Sequence, residues 1–565
     1  MTTPALTPGE RPAQPGAGTT RPSPDFAPRL LTDLLDHAVA TWPGRVAIDF
    51  LGRETRYAAL GGLVDKAARG LQDLGVARGD RVGLCLPNTP YYIILYFATL
   101  RIGGIVVNLN PLYVERELTH LITDSGAKVI ATCDIPDSLG RVSTVSRATG
   151  VAKLIVCPIA GALPPLKSVL YRLFKRKDIG AIPRDALHLR FDALIANAGR
   201  ATPVAVAPGD VAVLQYTGGT TGEPKAAMLT HANLTANSAQ MKVFVGDLAK
   251  PDEQEITLGV LPLFHVFALT SVLNYSIDTG AEMVLLPRFE LQQVIAAVRR
   301  TKISQLLAVP TIYSALNNLS DADFAKLETV RRSISGGAPL PYETRHKFET
   351  RSGTPVVEGY GLSEASPIIT CNPLDKPPKD NSAGPAFPGT IIEIRDLDDP
   401  TRLMSTGERG EICARGPQVM KGYWNRPDAD AQVFVDGALR TGDIGYLDED
   451  GYLFLVDRQK DLIIASGFNV YPRTIEEALY EHPAIAEAVV IGIPDEYRGQ
   501  APKAFVTLNP GQSATPAELL DFLKDKLSRI EIPRAIEIRD ALPKTLIGKL
   551  SKKELVAEEQ AKAHG

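Results

Sequence analysis

A glycine- and threonine-rich segment, Tyr216 to Lys225, follows a short apolar run, Val211 to Leu214, that predicts a buried strand. Glycines let backbone N–H groups crowd around an anion, while hydroxyl groups and a lysine add further donors and positive charge. Between its tyrosine and its lysine the segment supplies Thr217, Gly218, Gly219, Thr220, Thr221 and Gly222. It is not a Walker A loop, because no Gly-Lys-Ser/Thr sequence closes it. We therefore expect a polyphosphate-binding loop, with an ordinary Gly/Thr-rich hairpin as the alternative.

The length and composition of the chain limit the classes of protein to which it can belong. With 565 residues it is too long for a single hydrophobic core, so we expect at least two domains. Its 61 basic and 65 acidic residues leave a net charge of −4, which predicts no general attraction for nucleic acid. The five cysteines are scattered without a CxxC motif, so neither a disulfide framework nor a zinc site is expected.

The apolar segments favour a cytoplasmic location. The N-terminus carries no continuous apolar stretch, so we expect no signal peptide. The most apolar helix candidate, Tyr91 to Leu100, stops at Arg101 and is too short to cross a bilayer.

Short apolar strands alternate with helical segments from about residue 30 onward, which predicts an α/β fold with largely buried strands. Segments near the C-terminal end differ in character: the stretch from about 389 to 456 is typical of β-structure, and a charged stretch then precedes a small α/β pattern. We divide the chain accordingly into a disordered tail (1–28), an N-terminal domain (29–456), a hinge linker (457–461), a C-terminal domain (462–556) and a frayed tail (557–565).

The segment from 163 to 177 interrupts this alternation. On a helix it would carry an apolar stripe, made of Leu166, Val169, Leu170, Leu173 and Phe174, opposite or beside the basic residues Lys167, Arg172, Lys175, Arg176 and Lys177. A basic amphipathic helix of this kind can lie on an anionic membrane surface. The alternative is a surface helix that packs on its own domain.

Three further segments place polar residues or glycines at the ends of apolar runs, where open α/β sheets bind ligands. The first ends at His265, the second contains Gly336, Gly337 and Ala338, and the third runs from Glu358 to Glu364. A single histidine is more often a structural residue than a functional one, so His265 alone carries little weight.

Six motifs occur in the order of the adenylate-forming superfamily, and the set resembles the bacterial long-chain fatty acyl-CoA synthetases most closely. The resemblance covers about 30 to 555. The motifs are the segments 216–225, 360–364 (Tyr-Gly-Leu-Ser-Glu), 441–443 (Thr-Gly-Asp), 457–461 (Asp-Arg, then Lys-Asp), 466–470 (Ser-Gly-Phe-Asn-Val) and 543–549 (Pro-Lys-Thr-Leu-Ile-Gly-Lys).

The resemblance implies a fold and a reaction. The fold would be α/β, with a large N-terminal domain of two α/β sheets plus a β-rich subdomain and a small mobile C-terminal α/β domain. The reaction would join a fatty acid to CoA through an acyl-adenylate, with ATP and Mg²⁺, and would release AMP and diphosphate.

The resemblance also implies roles for individual residues. Thr217, Thr220, Thr221 and Lys225, with the glycines Gly218, Gly219 and Gly222, would hold the β- and γ-phosphates, and Glu364 with Thr217 would bind Mg²⁺. The nucleotide would contact Gly336, Gly337, Ala338, Glu358, Gly359, Tyr360, Gly361 and Ser363, with Tyr360 as the stacking face for adenine. Asp443 would bind the ribose hydroxyls, assisted by Arg458 and Lys460. Lys549 would reach the attacking carboxylate and the α-phosphate, and Lys225 and His265 join it as catalytic residues.

In the family the small domain then turns about the linker before the second half-reaction. Asp457 occupies the hinge position, and Ser466, Gly467 and Phe468 would line the channel for CoA. The chain departs from the family pattern at four places: Ala226 for glycine, Ser363 for threonine, Thr474 for an acidic residue, and Lys552-Lys553 for an arginine pair. None removes a group that the chemistry needs, although Ala226 could stiffen the end of the phosphate loop.

Several alternatives stay open from the sequence. The chain could pass its acyl-adenylate to a carrier protein, could use an aryl or short-chain acid, or could be a non-catalytic acyl-nucleotide binder or uptake factor. His265 stands where amino-acid-activating relatives have an aspartate, which favours an acid without an amino group. We expect the acyl pocket along Phe264–Leu273 and Val309–Tyr313, with peripheral contact to the inner membrane surface through 163–177 and a homodimer as further hypotheses.

Overall fold

The computed structural model describes residues 26–217, 224–249, 253–465, 468–495, 498–545 and 549–564, except for the side chains of 247, 563 and 564. Most of the expected disordered tail, 1–25, lies outside the described residues. The described end of that segment is already in contact with the fold, because the Phe26 ring lies against Gly389.

Short strands make up much of the fold. In chain order they are β1 (Val46–Phe50), β2 (Arg53–Arg56), β3 (Arg81–Cys85), β4 (Ile105–Asn108), β5 (Val129–Cys133), β6 (Lys153–Cys157), β7 (His188–Arg190), β8 (Val211–Thr217), β9 (Lys225–Thr230), β10 (Ile256–Gly259), β11 (Glu282–Leu285), β12 (Gln305–Ala308), β13 (Arg332–Ser335), β14 (Val356–Gly361), β15 (Ile368–Cys371), β16 (Ile391–Arg395), β17 (Gly410–Arg415), β18 (Phe434–Val435), β19 (Ala438–Leu447), β20 (Leu453–Arg458), β21 (Ile463–Ala465), β22 (Phe468–Val470), β23 (Ile485–Asp495), β24 (Gly499–Leu508) and β25 (Ala535–Ile538).

Helices connect these strands. They are α1 (Leu31–Thr41), α2 (Tyr57–Asp73), α3 (Pro90–Arg101), α4 (Glu115–Ser125), α5 (Pro136–Ala148), α6 (Ile159–Ala162), α7 (Pro165–Phe174), α8 (Phe191–Leu194), α9 (His231–Val245), α10 (Val266–Ala268), α11 (Tyr275–Thr279), α12 (Leu291–Arg300), α13 (Pro310–Asn317), α14 (Asp321–Phe324), α15 (Tyr342–Ser352), α16 (Pro427–Val433), α17 (Pro472–Tyr480), α18 (Pro516–Lys524) and α19 (Lys553–His564). The segment Leu269–Asn274 forms a π-helical turn between α10 and α11.

Two mostly parallel sheets dominate the chain up to β15. One has the strand order β7-β6-β5-β3-β4-β8-β9 and the other β15-β14-β13-β12-β10-β11-β1-β2. Strands such as β4 and β12 are buried along their whole length, as expected for parallel strands covered by helices on both faces. The apolar helix α3 lies between such layers, with Tyr91 to Leu100 buried. The expectation of two α/β sheets is confirmed.

Two smaller sheets follow. The strands β16 to β20 form an antiparallel sheet, and β21 to β25 form another whose last pair, β24 and β25, is parallel. The residues of this last sheet surround cores of their own, which include Ile475, Val490, Val506 and Leu519, while the buried clusters of the preceding sheets end before residue 456. We call 26–461 the large unit and 462–564 the small unit.

The segment expected to be a linker is partly a strand. Asp457 and Arg458 belong to β20, where they pair with Ile444 and Asp443 of β19, and a single 3₁₀ turn, Gln459–Asp461, leads into the small unit. The β-sheet ladder therefore extends two residues into the charged stretch, because each of these residues has a hydrogen-bonding neighbour on β19. Among the described residues, no helix combines the length and the apolar character needed to cross a membrane.

Candidate active site

Two adjoining cavities, of about 730 Å³ and about 250 Å³, lie at the carboxyl ends of the parallel strands, where the small unit faces the large one. They share lining residues, among them Tyr360, Asp443 and Lys549. The sequence predicted residues for nucleotide binding, metal binding, catalysis and the hinge. Each of them that the structure describes lines at least one of these two cavities. They are Thr217, Lys225, His265, Gly336, Gly337, Ala338, Glu358, Gly359, Tyr360, Gly361, Ser363, Glu364, Asp443, Asp457, Arg458, Lys460 and Lys549.

The two ends of the glycine- and threonine-rich segment are brought together by a hairpin. Thr217 ends β8 and Lys225 begins β9, and the two residues are register partners. Residues Gly218, Gly219, Thr220, Thr221 and Gly222 lie outside the described residues. Ala226 lies in regular strand structure and accepts a hydrogen bond from Trp424 N at 2.8 Å, so this position needs no glycine.

Tyr423 lies between Lys225 and Glu364, which both line the 730 Å³ cavity. Its hydroxyl group donates to Glu364 Oε1 at 2.8 Å, and Lys225 Nζ lies 5.4 Å from the centre of its ring. Burial raises the pKa of Glu364, which a bound cation would oppose. Tyr423 is not among the residues expected from the sequence. The available signal was the run Gly422-Tyr-Trp-Asn-Arg-Pro427, which combines turn residues with aromatic side chains.

The carboxylate of Asp443 is held from two sides. Tyr360 donates to Asp443 Oδ2 at 2.6 Å, and Arg458 Nε lies 3.1 Å from Asp443 Oδ1. The Asp443 N–H in turn donates to Thr441 Oγ1 at 3.1 Å. The acidic group expected to bind ribose therefore has a fixed orientation, because both of its oxygens and its backbone are engaged.

The glycines expected to leave room for a nucleotide have different roles. Gly337 has a φ of +81°, a conformation that residues with side chains rarely adopt, and it lines both cavities. A Cβ at Gly361 would instead lie 2.0 Å from the Pro367 carbonyl oxygen. Gly361 thus permits close packing of the chain against itself rather than opening a space for a ligand.

Lys549 extends from the small unit into both cavities. Its backbone N–H donates to Thr545 Oγ1 at 3.1 Å. Burial, reinforced by the positive charge of Arg458, lowers the pKa of Lys549 to about 8. Burial and the nearby Arg458 also lower the pKa of Lys460.

His265 caps α10 and is neutral at physiological pH. Its Nδ1 accepts the Phe267 N–H at 3.3 Å, so the ring proton must sit on Nε2. Burial, together with the charge of Lys549, lowers the pKa of His265 to about 4. His265 can therefore donate a hydrogen bond into the cavity but cannot serve there as a cation near neutral pH.

The charges that line the 730 Å³ cavity favour an anionic ligand. Among the described lining residues there are two more basic than acidic groups. The basic residues are Lys225, Arg440, Arg458, Lys460 and Lys549, and the acidic residues are Glu364, Glu411 and Asp443.

A polar network that was not expected from the sequence adjoins this cavity. Tyr92 donates to Asn108 Oδ1 at 2.7 Å, and Asn108 Nδ2 donates to Gln215 Oε1 at 2.9 Å. Isolated Asn and Gln residues within strands give no signal of such a network in one sequence.

A third and larger cavity, of about 1380 Å³, adjoins the site at Phe264 and Thr545 and extends to α7. The expected acyl pocket lies here only in part. Phe264 and the residues Val309, Thr311 and Ile312 line this cavity, whereas Leu269, Leu273 and Tyr313 are fully buried in the core. Leu269 and Leu273 belong to the π-helical turn Leu269–Asn274, all of whose residues are buried, and the Tyr313 hydroxyl donates to the Leu306 and Ile334 carbonyl oxygens within the core.

Of the three expected CoA-channel residues, Phe468 belongs to the part of the chain that the structure describes. Ser466 and Gly467 lie outside the described residues. Phe468, in β22, is 65% exposed and is not among the residues that line the three cavities.

Comparison with known proteins matches the two units to two family models. The model for AMP-binding enzymes matches residues 35–424, and the model for the AMP-binding enzyme C-terminal domain matches residues 474–549.

Relatives of similar length are found among characterised proteins and solved structures. A long-chain-fatty-acid–CoA ligase of Bacillus subtilis (strain 168) is 40% identical, over 95% of this chain and 96% of its own. A long-chain-fatty-acid–CoA ligase of Escherichia coli O157:H7 is 35% identical, over 94% of this chain and 95% of its own. The crystal structure of ATP-bound MatB from Rhodopseudomonas palustris superposes with a TM-score of 0.81 at 28% identity and covers 94% of this chain and 99% of MatB.

Proposed function

The chain belongs to the AMP-binding enzymes, and on this basis we propose that it is a long-chain-fatty-acid–CoA ligase. It activates a fatty acid with ATP through an acyl-adenylate and transfers the acyl group to CoA. The products are acyl-CoA, AMP and diphosphate.

One observation carries the proposal: Lys225, Glu364 and Asp443 of the large unit and Lys549 of the small unit line a single cavity. Adenylation brings an anionic carboxylate to an anionic triphosphate, so it needs positive charge placed in advance around the reacting groups. The surplus of basic groups in the cavity supplies that charge.

The nucleotide binds with its triphosphate toward Thr217 and Lys225 and its ribose toward Asp443. Asp443, held by Tyr360 and Arg458, accepts hydrogen bonds from the ribose hydroxyls. Gly336 to Ala338 and Gly359 to Gly361 surround the adenine.

The residues present fit a magnesium ion bound together with the phosphates. Glu364 and Thr217 offer one carboxylate and one hydroxyl group to the cavity, and the described residues form no group of three or more His, Cys, Asp or Glu that could bind a metal alone. Mg²⁺ commonly takes one or two carboxylates and completes its shell with phosphate oxygens and water. When bound, the ion neutralises charge on the phosphates.

In the first half-reaction a carboxylate oxygen of the acid attacks the α-phosphorus of ATP. The bond from that phosphorus to the oxygen bridging to the β-phosphate breaks, and diphosphate leaves. Lys549 lies opposite the attacking carboxylate and stabilises the charge of the transition state, while the Nε2–H of His265 orients the acid.

In the second half-reaction the sulfur of CoA attacks the acyl carbonyl carbon. The bond from that carbon to the AMP oxygen breaks, AMP leaves, and the thiol proton passes to solvent. We propose that the small unit turns about 457–461 between the two steps, which withdraws Lys549 and brings the segment from Ser466 to Phe468 to the site.

The hydrocarbon chain occupies the 1380 Å³ cavity. That cavity meets the nucleotide site at Phe264 and Thr545, which supports a substrate orientation with the carboxylate near Lys549 and the chain toward α7. Its apolar lining includes Val260, Leu261 and Ile312.

We also propose peripheral contact with an anionic membrane surface on the cytoplasmic side, through 163–177. None of the residues of α7 is buried, and its apolar stripe is turned to solvent, with Leu166 72% and Phe174 79% exposed. The helix instead faces its own unit through Ser168, whose hydroxyl donates to the Ala160 carbonyl oxygen, and through half-buried Tyr171. A homodimer is a second assembly hypothesis, and the oligomeric state in solution tests it.

Diphosphate release on mixing the protein with ATP, Mg²⁺ and oleate tests the activity, and acyl-CoA formation on adding CoA tests the acceptor. A panel of acids of increasing length identifies the substrate range. Diphosphate release without acyl-CoA would favour delivery to a carrier protein, and the absence of diphosphate with every acid would contradict the proposal. Lys549→Ala serves as the control, because it should abolish adenylation but leave thioester formation from supplied acyl-adenylate intact.

A further inference from the structure

The two units have separate hydrophobic cores and meet across a polar boundary. Contacts that cross this boundary include Arg473 with Asp457 and the Arg409 guanidinium 5.3 Å from the centre of the Tyr471 ring. An interface of this kind, polar and between separately packed units, permits relative motion. Its charged contacts therefore determine which orientation of the small unit is favoured.

Arg473 occupies a central place at this boundary. It lies in the first turn of α17, and its side chain is 13% exposed. Its backbone N–H donates to Asp457 Oδ2 at 2.8 Å, and its Nε donates to Glu477 Oε1 at 2.8 Å. The Arg473 side chain and Glu358 of the large unit both line the 250 Å³ cavity, and their opposite charges attract each other.

Glu358 lines the same cavity as the Arg473 guanidinium, from the side of the large unit. Its carboxylate accepts the Leu340 N–H at 3.1 Å, next to the glycines that surround the nucleotide position. Burial raises the pKa of Glu358, and the largest opposing influence is the charge of Arg473, ahead of the Leu340 N–H and Arg345. Glu358 is half-buried, so removing the opposite charge of Arg473 would weaken the electrostatic attraction between the two units.

We propose that Arg473 is a positioning residue for adenylation, which holds the small unit in the orientation that places Lys549 in the cavity. The inference rests on the proposed function, since it assigns an energetic preference to one of the two orientations which that function requires. Its side chain acts through the charge of Glu358, and its backbone N–H adds the contact with Asp457, which every variant at this position keeps.

The two half-reactions measured separately test this role. Arg473→Gln should lower the single-turnover rate of acyl-adenylate formation about tenfold, the effect of losing one charged contact. The rate of thioester formation from supplied acyl-adenylate and CoA should stay unchanged or rise. Arg473→Lys keeps the charge and should restore most of the adenylation rate. The matched control is Arg534→Gln, which removes an exposed arginine of the small unit paired with Asp495 and should alter neither rate.

A double-mutant cycle with Glu358→Gln identifies the partner. If Arg473 acts through Glu358, adding Arg473→Gln to Glu358→Gln should cost little more than Glu358→Gln alone. A full additional tenfold loss in the double variant, or an equal loss in both half-reactions of Arg473→Gln, would overturn the inference while leaving the proposed function intact. A wild-type protein that forms neither acyl-adenylate nor acyl-CoA would overturn both.

Discussion

At the scale of single residues, the proposed reaction depends on Lys549, a lysine with a lowered pKa. In the absence of ligands the pKa of Lys549 is about 8, so the amine is charged below that pH and neutral above it. Because the charged form stabilises the anionic transition state, kcat/KM for adenylation should fall as pH rises through about 8. Bound ATP is an anion and favours the charged form, so the corresponding fall in kcat should lie at higher pH.

The variant Lys549→Arg identifies the group that titrates. Arginine keeps its charge across this range, so the residual activity of the variant should lose the decline near pH 8. A decline that persisted in the variant would show that another group titrates. His265, with a pKa of about 4, should add no limb near neutrality.

The proposed magnesium site assigns Glu364 as the carboxylate ligand. An amide is a poorer ligand for a hard cation, so Glu364→Gln should raise the Mg²⁺ concentration needed for half-maximal adenylation by roughly tenfold or more. Titrating Mg²⁺ at saturating ATP measures the effect. Glu449→Gln makes the same chemical change in an exposed turn and should have no effect. An unchanged Mg²⁺ dependence in Glu364→Gln would contradict the assignment.

Much of the candidate site could be predicted from the sequence because its chemistry needs particular residue types. Lys225, Glu364, Asp443 and Lys549 are charged residues in glycine-containing motifs, and all four line one cavity. Tyr423 could not be predicted in the same way, because its link to Glu364 joins positions 59 residues apart. The packing role of Gly361 could not be predicted either, because it depends on the close approach of the Pro367 carbonyl oxygen in the folded chain.

At the scale of elements, α7 separates what periodicity predicts from what it does not. The spacing of its leucines predicts a helix and an apolar stripe, and both are present. Periodicity alone cannot tell whether such a stripe faces a core or solvent. The segment Leu269 to Asn274 is a second example, because periodicity did not predict that it forms a π-helical turn whose residues are all buried.

Charge reversal on α7 and just after it should weaken vesicle binding. Lys167 is left unchanged because its Nζ donates to the Leu51 carbonyl oxygen at 2.7 Å. The variant Arg172→Glu, Lys175→Glu, Lys177→Glu replaces three positive charges, each worth about 1 kcal/mol near an anionic surface, with negative ones, so partitioning onto anionic vesicles should fall by at least a factor of about a hundred. Sedimentation with vesicles at several salt concentrations measures it, and wild-type binding should itself weaken as salt rises.

The control variant carries the same charge change elsewhere. Reversing Lys524, Arg529 and Lys553, all exposed on the small unit, should leave vesicle binding unchanged. Activity of the α7 variant toward a short soluble acid should match that of the wild type. If the α7 variant still sedimented like the wild type, the helix would not be the contact. Loss of a dimer in that variant would instead assign the exposed stripe to a second copy of the chain.

At the scale of the whole molecule, the separate cores predict stepwise unfolding. The small unit has the smaller buried core, so it should unfold at the lower temperature and give two calorimetric transitions without ligand. In the proposed site a non-hydrolysable ATP analogue would contact residues of both units, so it should raise both transitions and bring them closer together. In Lys549→Ala the ligand should still raise the transition of the large unit but should affect that of the small unit less. A single transition without ligand would contradict this independence.

The pairing of Asp443 with Arg458 on β19 and β20 has a mechanical consequence. Arg458 ends its strand beside the ribose position, and the 3₁₀ turn Gln459–Asp461 begins at the next residue. A pivot at that turn would leave Asp443 and Arg458 on the part that stays in place, whereas Lys549 belongs to the part that rotates. Rotation of the small unit would then carry Lys549 out of the cavity while Arg458 stayed beside Asp443, so the adenylate could remain anchored by its ribose as the groups around its acyl carbon are exchanged.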